Sequence, residues 1–159
     1  MILIDYSQIA LSNIIVQKLN DEQMIRHMIL NSIRMYNKRY REEYGQVVIC
    51  ADGMNTWRKE FFPEYKAARK KGRESSGMDW TEIFRILHTV RDEIRDYLPY
   101  KVVHLEGVEA DDVIGTLTMQ TQEFGMAEPV MIISSDKDFI QLQKFNNVKQ
   151  YSPIQKKFV

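Results

Sequence analysis

Ile2-Leu3-Ile4-Asp5, at the start of the chain, is an apolar run that ends in an acidic residue, and this arrangement recurs three more times. The other runs cover residues 47–51, followed by Asp52, residues 102–105, followed by Glu109, Asp111 and Asp112, and residues 130–134, followed by Asp136 and Asp138. In an open parallel α/β sheet, the functional crevice lies outside the carboxyl ends of the strands. We therefore expect these acids, which are far apart in sequence, to converge on one pocket.

Strand-like and helix-like segments alternate along the rest of the chain. Strands are predicted over residues 1–6, 46–51, 101–105, 130–134 and 148–152. Helices are predicted over residues 21–43, 79–98 and 109–124, with a shorter one over residues 138–144. On the long first helix the predicted inner stripe contains Met24, Ile25, Met28, Ile29, Met35 and Tyr36. This alternation predicts right-handed crossovers and an α/β fold, in which helices flank a mainly parallel central sheet.

Length and composition favour a single globular domain. The chain has 159 residues, of which 44% are hydrophobic and 11% aromatic. Its 22 basic and 22 acidic residues balance, so the total charge does not indicate a partner. The single Cys50 lies in a strand-like run and is predicted to be a buried thiol. With no apolar stretch of membrane-spanning length and no signal peptide, we expect a cytoplasmic protein with no membrane partner.

Carboxylates gathered in one crevice predict a site for hard divalent cations. Such groups repel one another unless a cation neutralises them. Mg²⁺ prefers oxygen ligands and Mn²⁺ fits similar sites, whereas the three histidines and the cysteine show no zinc-ligand spacing. Two such ions activate water and stabilise the leaving oxygen in phosphoryl chemistry.

Each acidic group also has a structural interpretation. Asp and Glu are favoured at the start of a helix, as in residues 109–112, and Ser and Asp after a strand commonly cap the next helix, as in residues 134–138. Asp5 and Asp52 are more informative, because an acid beside a buried strand is unfavourable without a partner. The occurrence of acids at four strand ends together favours a metal site.

A basic segment predicts contact with nucleic acid. Residues 58–73 contain seven basic and two acidic residues, interleaved with aromatic ones, whereas residues 106–112 contain four acids and no base. Lys and Arg contact phosphates while aromatic rings stack on bases, although a merely solvated surface would show the same charges. We expect a flexible arch over about residues 58–77. Its candidate nucleic-acid-binding residues are Arg58, Lys59, Tyr65, Lys66, Arg69, Lys70, Lys71 and Arg73.

Five separated motifs resemble those of the 5′-nuclease (flap endonuclease) family, in the order in which that family has them. They are Ile4-Asp5-Tyr6-Ser7, Ala51-Asp52-Gly53, Phe62-Pro63-Glu64-Tyr65-Lys66, Gly107-Val108-Glu109-Ala110-Asp111-Asp112 and Ser134-Ser135-Asp136-Lys137-Asp138-Phe139. The members that the chain resembles most are the ribonucleases H of T-even phages and the 5′-3′ exonuclease domains of bacterial DNA polymerases. The resemblance implies a PIN-like three-layer domain that binds two divalent ions, and, if a phage encodes the chain, a location in the host cytoplasm. The ligand chemistry given above leads us to expect Mg²⁺ at these sites, with Mn²⁺ as a substitute.

The resemblance also implies roles for individual residues. The residues that match the first-metal group, with catalytic roles, are Asp5, Asp52, Glu109 and Asp111, and Asp112 is a nearby or shared acid. Asp136 and Asp138 match carboxylates on the side of the second metal. Tyr65, Lys66 and Arg69 match arch residues that contact and orient the scissile phosphate and the terminal base, and the resemblance implies catalytic roles for Lys66 and Arg69. Family members continue into a C-terminal helix-three-turn-helix domain that residues 1–159 lack, so the second ion is expected to be incompletely liganded.

The leading hypothesis is a metal-dependent 5′-3′ exonuclease or flap endonuclease that removes RNA primers or DNA flaps in replication. Its substrates would be DNA and RNA–DNA hybrids with 5′ ends or flaps. Three alternatives remain open: the nucleic-acid-binding half of a split nuclease whose C-terminal domain is a separate chain, a PIN-type single-strand ribonuclease, and a phosphatase with Asp5 as nucleophile. The sequence lacks the glycine-rich fingerprint of dinucleotide-binding proteins and the phosphate loop of nucleoside triphosphatases.

Overall fold

A computed structural model describes residues 1–53, 79–123 and 127–159. Within these ranges, the strands are β1 (Ile2–Asp5), β2 (Val47–Ala51), β3 (Lys101–His104), β4 (Val130–Ile133), β5 (Val148–Ser152) and β6 (Lys157–Phe158). They form one sheet in the order β3-β2-β1-β4-β5-β6, in which only β6 is antiparallel to its neighbour. The prediction of a mainly parallel central sheet is confirmed.

Helices cover both faces of this sheet. The helices among the described residues are α1 (Tyr6–Gln17), α2 (Glu22–Tyr44), α3 (Trp80–Tyr97), α4 (Ala110–Glu123) and a 3₁₀ helix (Lys137–Lys144). One hydrophobic core lies between the sheet and the first three helices, and a second lies between the sheet, α4 and the 3₁₀ helix. The molecule therefore has the predicted three layers.

The central strand β1 explains why the apolar run at the start of the chain is uninterrupted. Successive side chains of a strand point to opposite faces of the sheet. Ile2 and Ile4 accordingly pack into the core beneath α1, α2 and α3, and Leu3 packs into the core beneath α4. Because β1 is buried on both faces and paired on both edges, every position before Asp5 must be apolar.

Helix α2 has a regular buried stripe. Asp21 caps it by accepting hydrogen bonds from the backbone N–H groups of Gln23 (2.8 Å) and Met24 (3.1 Å), and the chain leaves it at Gly45 with a positive φ of 89°. The buried stripe consists of Ile25, Ile29, Ile33, Tyr36, Tyr40 and Tyr44. These residues recur every three or four positions and so occupy one side of the helix.

The prediction that Met24 and Met35 belong to that stripe is wrong. Their side chains are 57% and 49% exposed, and Met28 is only partly buried. Met24 and Met35 each lie one position before a buried residue, and successive residues of a helix are rotated by about 100° around its axis. That rotation turns both methionines away from the sheet.

Helix α1 was not predicted from the sequence. Its residues are mostly apolar and show no clear polar side, so the usual helical periodicity is weak. The helix starts at Tyr6, which was predicted to end the first strand. It ends at Gln17 and is followed by Lys18 in the left-handed region (φ 51°). Asp5 occupies the N-cap position, but its side chain makes no capping hydrogen bond to α1. Its carboxylate is therefore available for other contacts.

Two further predictions can be compared with the described residues. Cys50 is buried, as predicted. No helix among the described residues has the length and apolar character needed to cross a membrane.

A pair of alanine substitutions in α2 tests the assignment of its buried stripe. Ile29→Ala should lower the free energy of unfolding by about 2–5 kcal/mol, because it leaves a cavity in the core. Met35→Ala should change it by about 0.5 kcal/mol or less, because the side chain is half exposed. Urea unfolding followed by circular dichroism measures both, and equal losses of stability would show that Met35 packs into the core.

Candidate functional site

The carboxyl ends of three neighbouring strands bring together residues from distant parts of the chain. Asp5 is the last residue of β1 and pairs with Cys50 of β2, two positions before Asp52. On the other side, Ile4 pairs with Ile133 of β4, so Ser134 follows beside Asp5. The predicted crevice at the carboxyl edge of the sheet therefore begins with Asp5 at its centre.

Asp5 is a buried carboxylate held by two serine hydroxyls. The residue is only 3% exposed. Ser7 Oγ donates a hydrogen bond to Oδ1 (3.2 Å), and Ser134 Oγ donates to Oδ2 (3.1 Å). One bond to each oxygen fixes the orientation of the carboxylate.

Neighbouring carboxylates and burial together raise the pKa of Asp5. Burial is the largest cause, followed by the negative charges of Asp111 and Asp52, and the result is a pKa of about 7 instead of the usual 3.8. The hydrogen bonds from Ser134 and Ser7 act in the opposite direction but do not offset these effects. Three carboxylates from β1, from the end of β2 and from α4 are thus close enough to repel one another electrostatically.

Asp52 attaches the start of α4 to the end of β2. Its side chain is exposed, and its Oδ1 accepts a hydrogen bond of 2.7 Å from the backbone N–H of Ala110, the first residue of α4. An N–H at that position has no partner within the helix and favours a carboxylate. This bond places Asp111, in the first turn of α4, on the same side of the sheet as Asp5.

Glu109 is the second buried acid of the site. It is 2% exposed, and its backbone oxygen accepts hydrogen bonds from the N–H groups of Asp112 (3.1 Å) and Val113 (3.3 Å), which begin α4. Asp112 is half buried in the same first turn. The acids of residues 109–112 thus start the helix and also lie at the carboxyl edge.

A close backbone contact at Gly53 holds this arrangement together. Gly53 N–H donates to the carbonyl oxygen of Val108 (2.7 Å), which joins the end of β2 to the loop between β3 and α4. A Cβ atom at Gly53 would lie 1.8 Å from the carbonyl oxygen of Leu105. Only glycine fits there, because the obstacle is backbone and not a flexible side chain.

Asp136 and Asp138 lie at the start of the 3₁₀ helix, and the side chain of Asp136 satisfies the capping interpretation. Asp136 Oδ1 accepts a hydrogen bond from the N–H of Asp138 (2.9 Å), and the N–H of Asp136 donates to Ser134 Oγ (3.1 Å). Asp138 is exposed. Ser134 therefore lies between this second pair of acids and Asp5.

The donor set fits a divalent cation in its chemistry. Within residues 1–53, 79–123 and 127–159, no three His, Cys, Asp or Glu side chains are arranged around a common point that could hold an ion. Burial and, to a lesser extent, the charges of Asp111 and Asp52 raise the pKa of Asp5, and a cation among these carboxylates would relieve their repulsion. Oxygen-only donors of this kind match hard ions such as Mg²⁺ or Mn²⁺.

The predicted nucleic-acid-binding residues lie outside the described residues. This applies to the arch of residues 58–77, and so to Arg58, Lys59, Tyr65, Lys66, Arg69, Lys70, Lys71 and Arg73.

Sequence reasoning missed the supporting serines. Ser7 and Ser134 both hydrogen-bond to Asp5, although the sequence analysis gave neither of them a role at this carboxylate. For Ser7 the available signal was a hydroxyl two residues after the acid. Ser134 gave no such signal, because it is 129 residues away from Asp5.

Similar sequences cover the whole chain. The family model described as "5′-3′ exonuclease, N-terminal resolvase-like domain" matches residues 1–159. A ribonuclease H of Enterobacteria phage T4 is 43% identical over 164 aligned positions, which cover 99% of this chain and 53% of the relative. A DNA polymerase I of Bacillus caldotenax is 33% identical over 89% of this chain and 16% of its own length. The chain thus spans about half of the phage relative and a smaller part of the polymerase.

Solved structures share the fold. A phage T5 5′-exonuclease with bound zinc ions matches with a TM-score of 0.75 at 17% identity, over 100% of this chain and 57% of that one. A variant of the phage T5 D15 flap endonuclease, in complex with DNA and metal ions, also matches with a TM-score of 0.75, at 18% identity, over 99% of this chain and 56% of that one. These likenesses confirm the PIN-like α/β fold. Together with the family model and the 43% identical relative, they show that this chain belongs to the 5′-nuclease (flap endonuclease) family.

Proposed function

We propose that residues 1–159 form the N-terminal PIN-like unit of a divalent-metal-dependent 5′ nuclease that hydrolyses phosphodiester bonds of RNA primers or DNA flaps during replication. The observation that carries this proposal is the buried carboxylate of Asp5, which lies close enough to Asp52 and Asp111 for their charges to raise its pKa. Membership of the nuclease family supports the reaction class. The relatives named as ribonuclease H and DNA polymerase I support a replication context.

In this proposal the carboxylates of the crevice hold the metal. Asp5, Asp52, Glu109 and Asp111 would hold the first ion, and Asp112, Asp136 and Asp138 would lie on the side of a second ion. When bound, such ions activate water and stabilise charge on the phosphate oxygens. Mg²⁺ is the proposed ion, and Mn²⁺ would substitute for it. The metal ions in the T5 neighbours support divalent-ion use.

The protein's own part is to hold the acids in place before substrate arrives. Ser7 and Ser134 orient the carboxylate of Asp5, and the bond from Ala110 N–H orients that of Asp52. Preorganised groups need no rearrangement during the reaction, which is the main way that polar sites stabilise a transition state. Lys66 and Arg69 of the arch are proposed to orient the scissile phosphate, with the other basic residues of residues 58–73 along the strand.

A region beyond residues 1–159 is proposed to complete the site. The chain spans about half of its phage relative, and Asp136 is engaged in capping. We propose that a helix-three-turn-helix region, in the same polypeptide or in a separate chain, grips duplex and supplies further ligands to the second ion. The same partial coverage of the relative favours an alternative function, in which residues 1–159 bind 5′-ended nucleic acid but turn it over only with that region.

Replacing one metal-binding carboxylate tests the leading proposal. Asp52→Asn keeps an oxygen for the bond from Ala110 N–H but removes the charge, so cleavage should fall by at least about a hundredfold, as expected on removal of a group that stabilises the transition state. The assay is cleavage of a 5′-labelled DNA flap and an RNA–DNA hybrid with Mg²⁺ or Mn²⁺. Asp96→Asn, at an exposed position near the end of α3, is the control. Full activity in Asp52→Asn would refute the assignment, and binding without products in the wild type would support the alternative.

The raised pKa of Asp5 gives a pH-dependent prediction about stability. A carboxyl group whose folded pKa is raised stabilises the fold below its unfolded pKa of about 4, and this stability is lost as the pH rises through about 7. In the absence of divalent cations, Asp5→Asn should therefore gain stability relative to the wild type between pH 4 and pH 8, by at most a few kcal/mol.

Divalent cations should reduce the stability difference between Asp5→Asn and the wild type. At pH 8, Mg²⁺ should raise the melting temperature of the wild type more than that of Asp5→Asn, because binding to the folded state alone stabilises it. Thermal unfolding with and without Mg²⁺ at pH 4 and pH 8 provides the measurement. Equal shifts of the melting temperature in the two proteins would show that Asp5 does not bind the metal.

The arch makes a separate prediction about binding. Lys66→Ala should reduce turnover and weaken binding to a DNA flap, and the slope of log affinity against log salt should become shallower by about 0.7–0.9 for each phosphate that the protein no longer neutralises. Lys101→Ala is the matched control, because Lys101 lies at the amino end of β3, on the sheet edge opposite to the acids. An unchanged salt slope in Lys66→Ala would show that this residue does not contact phosphate.

A further inference from the structure

We infer that Gln150, on β5, is a positioning residue for the carboxylate site and acts on Asp5 through the segment of residues 134–136. This inference rests on the proposed metal-binding function of that site. Gln150 lies on a strand that contributes none of the acids. No motif of the sequence marks it.

The side-chain amide of Gln150 holds the segment that follows β4. The residue is 1% exposed, and its Nε2 donates hydrogen bonds to the carbonyl oxygens of Ser134 (2.9 Å) and Asp136 (2.8 Å). Both hydrogens of the amide nitrogen are thereby used. The amide orientation follows from these partners, because reversing it would place Oε1 against two carbonyl oxygens.

The unpaired oxygen of the Gln150 amide indicates that the two bonds donated by Nε2 determine the position of this side chain. Gln150 Oε1 is buried and has no hydrogen-bond partner among the described residues. A buried acceptor without a partner is unfavourable, and an apolar side chain of similar size would avoid it. The two bonds donated by Nε2 therefore specify the conformation of residues 134–136 at some cost in stability.

Those two bonds connect Gln150 to Asp5 through one serine. Ser134 Oγ donates to Asp5 Oδ2 (3.1 Å) and accepts from the N–H of Asp136 (3.1 Å). The N–H of Ser134 also donates to the carbonyl oxygen of Tyr151 (3.1 Å), so Gln150 and the neighbouring strand together hold the backbone of Ser134. Gln150 adds the bond to the Asp136 carbonyl oxygen and so restricts the direction of the Ser134 hydroxyl. Without Gln150, Asp5 would retain the bond from Ser7, but the bond to its second oxygen would be held less firmly.

Ser134, which Gln150 holds, also connects Asp5 to Asp136. Asp5 lies at the end of β1, and Asp136 starts the 3₁₀ helix, yet both are tied to Ser134. Removing a residue that orients metal ligands through hydrogen bonds typically lowers metal affinity about 10- to 100-fold. Gln150 is therefore expected to affect metal affinity although it touches neither the ion nor the substrate.

Calorimetric titration with Mn²⁺ tests this inference directly. Gln150→Met keeps an unbranched side chain of similar length but has no donor, so the Mn²⁺ dissociation constant should rise about tenfold. Thr118→Val is the control. Thr118 is buried on α4, and its Oγ1 has no hydrogen-bond partner among the described residues, so it makes no bond to residues 134–136. By the same reasoning, Thr118→Val should bind Mn²⁺ within about twofold of the wild type, since it alters no support of the ligands.

A double substitution separates positioning from general weakening of the fold. If Gln150 acts through Ser134, then Gln150→Met should add little to the decrease in Mn²⁺ affinity caused by Ser134→Ala, because both remove the same connection. Fully additive effects would overturn the inference, as would wild-type affinity in Gln150→Met. Absence of Mn²⁺ binding by the wild type would overturn the proposed function and this inference together.

Nuclear magnetic resonance on the unaltered chain covers the case in which the variant does not fold. During a Mg²⁺ titration, the Nε2 resonance of Gln150 should shift with the same midpoint as the backbone amides of Ser134 and Asp136. The Nε2 of Gln122, which donates to the Glu128 carbonyl (2.8 Å) near the amino end of β4, is the internal control and should not shift. A Gln150 resonance that does not respond while the backbone amides do would overturn the inference but leave the proposed function intact.

Discussion

The burial of one carboxylate, that of Asp5 at the end of the central strand, is the constraint on which the rest of the site depends. A buried charge is strongly unfavourable unless it is paired and hydrogen-bonded. The protein gives Asp5 two serine donors but also places Asp52 and Asp111 close enough to raise its pKa. These opposing influences leave an oriented carboxylate whose negative charge a bound cation would stabilise. That electrostatic situation is the physical basis of the proposed metal site.

The surrounding backbone holds this imbalance in place. Asp52 bonds to the first N–H of α4, and Gly53 bonds to the loop that precedes the helix, so the end of β2 and the start of α4 form one unit. On the other side, Ser134 links Asp5 to the start of the 3₁₀ helix. The helix that brings Asp111 near Asp5 therefore cannot move away from the sheet without breaking specific hydrogen bonds. This rigidity keeps like charges close together in the folded protein.

The parallel sheet explains why such a site can be assembled from distant residues. All of the strands that contribute to it end at the same edge. Among the described residues, β1, β3 and β4 are each followed by a helix, whose first N–H groups favour acidic side chains. Capping and metal binding therefore draw on the same residue types at the same places. Asp136 illustrates this overlap, because it caps the 3₁₀ helix and is also among the acids proposed to lie on the side of a second ion.

The sequence by itself determined where most strands and helices lie along the chain and which acids follow the strands, because side-chain periodicity and strand-end residues are local properties. It failed at α1, whose apolar residues show no clear periodicity, and at Met24 and Met35, whose exposure depends on the rotation of α2 against the sheet. Only the tertiary structure decided that Ser134 pairs with Asp5, that Asp52 caps α4, and that Gln150 holds the segment between the acids. These contacts join residues up to 129 positions apart, and strand register and helix packing bring them together, which no local pattern encodes.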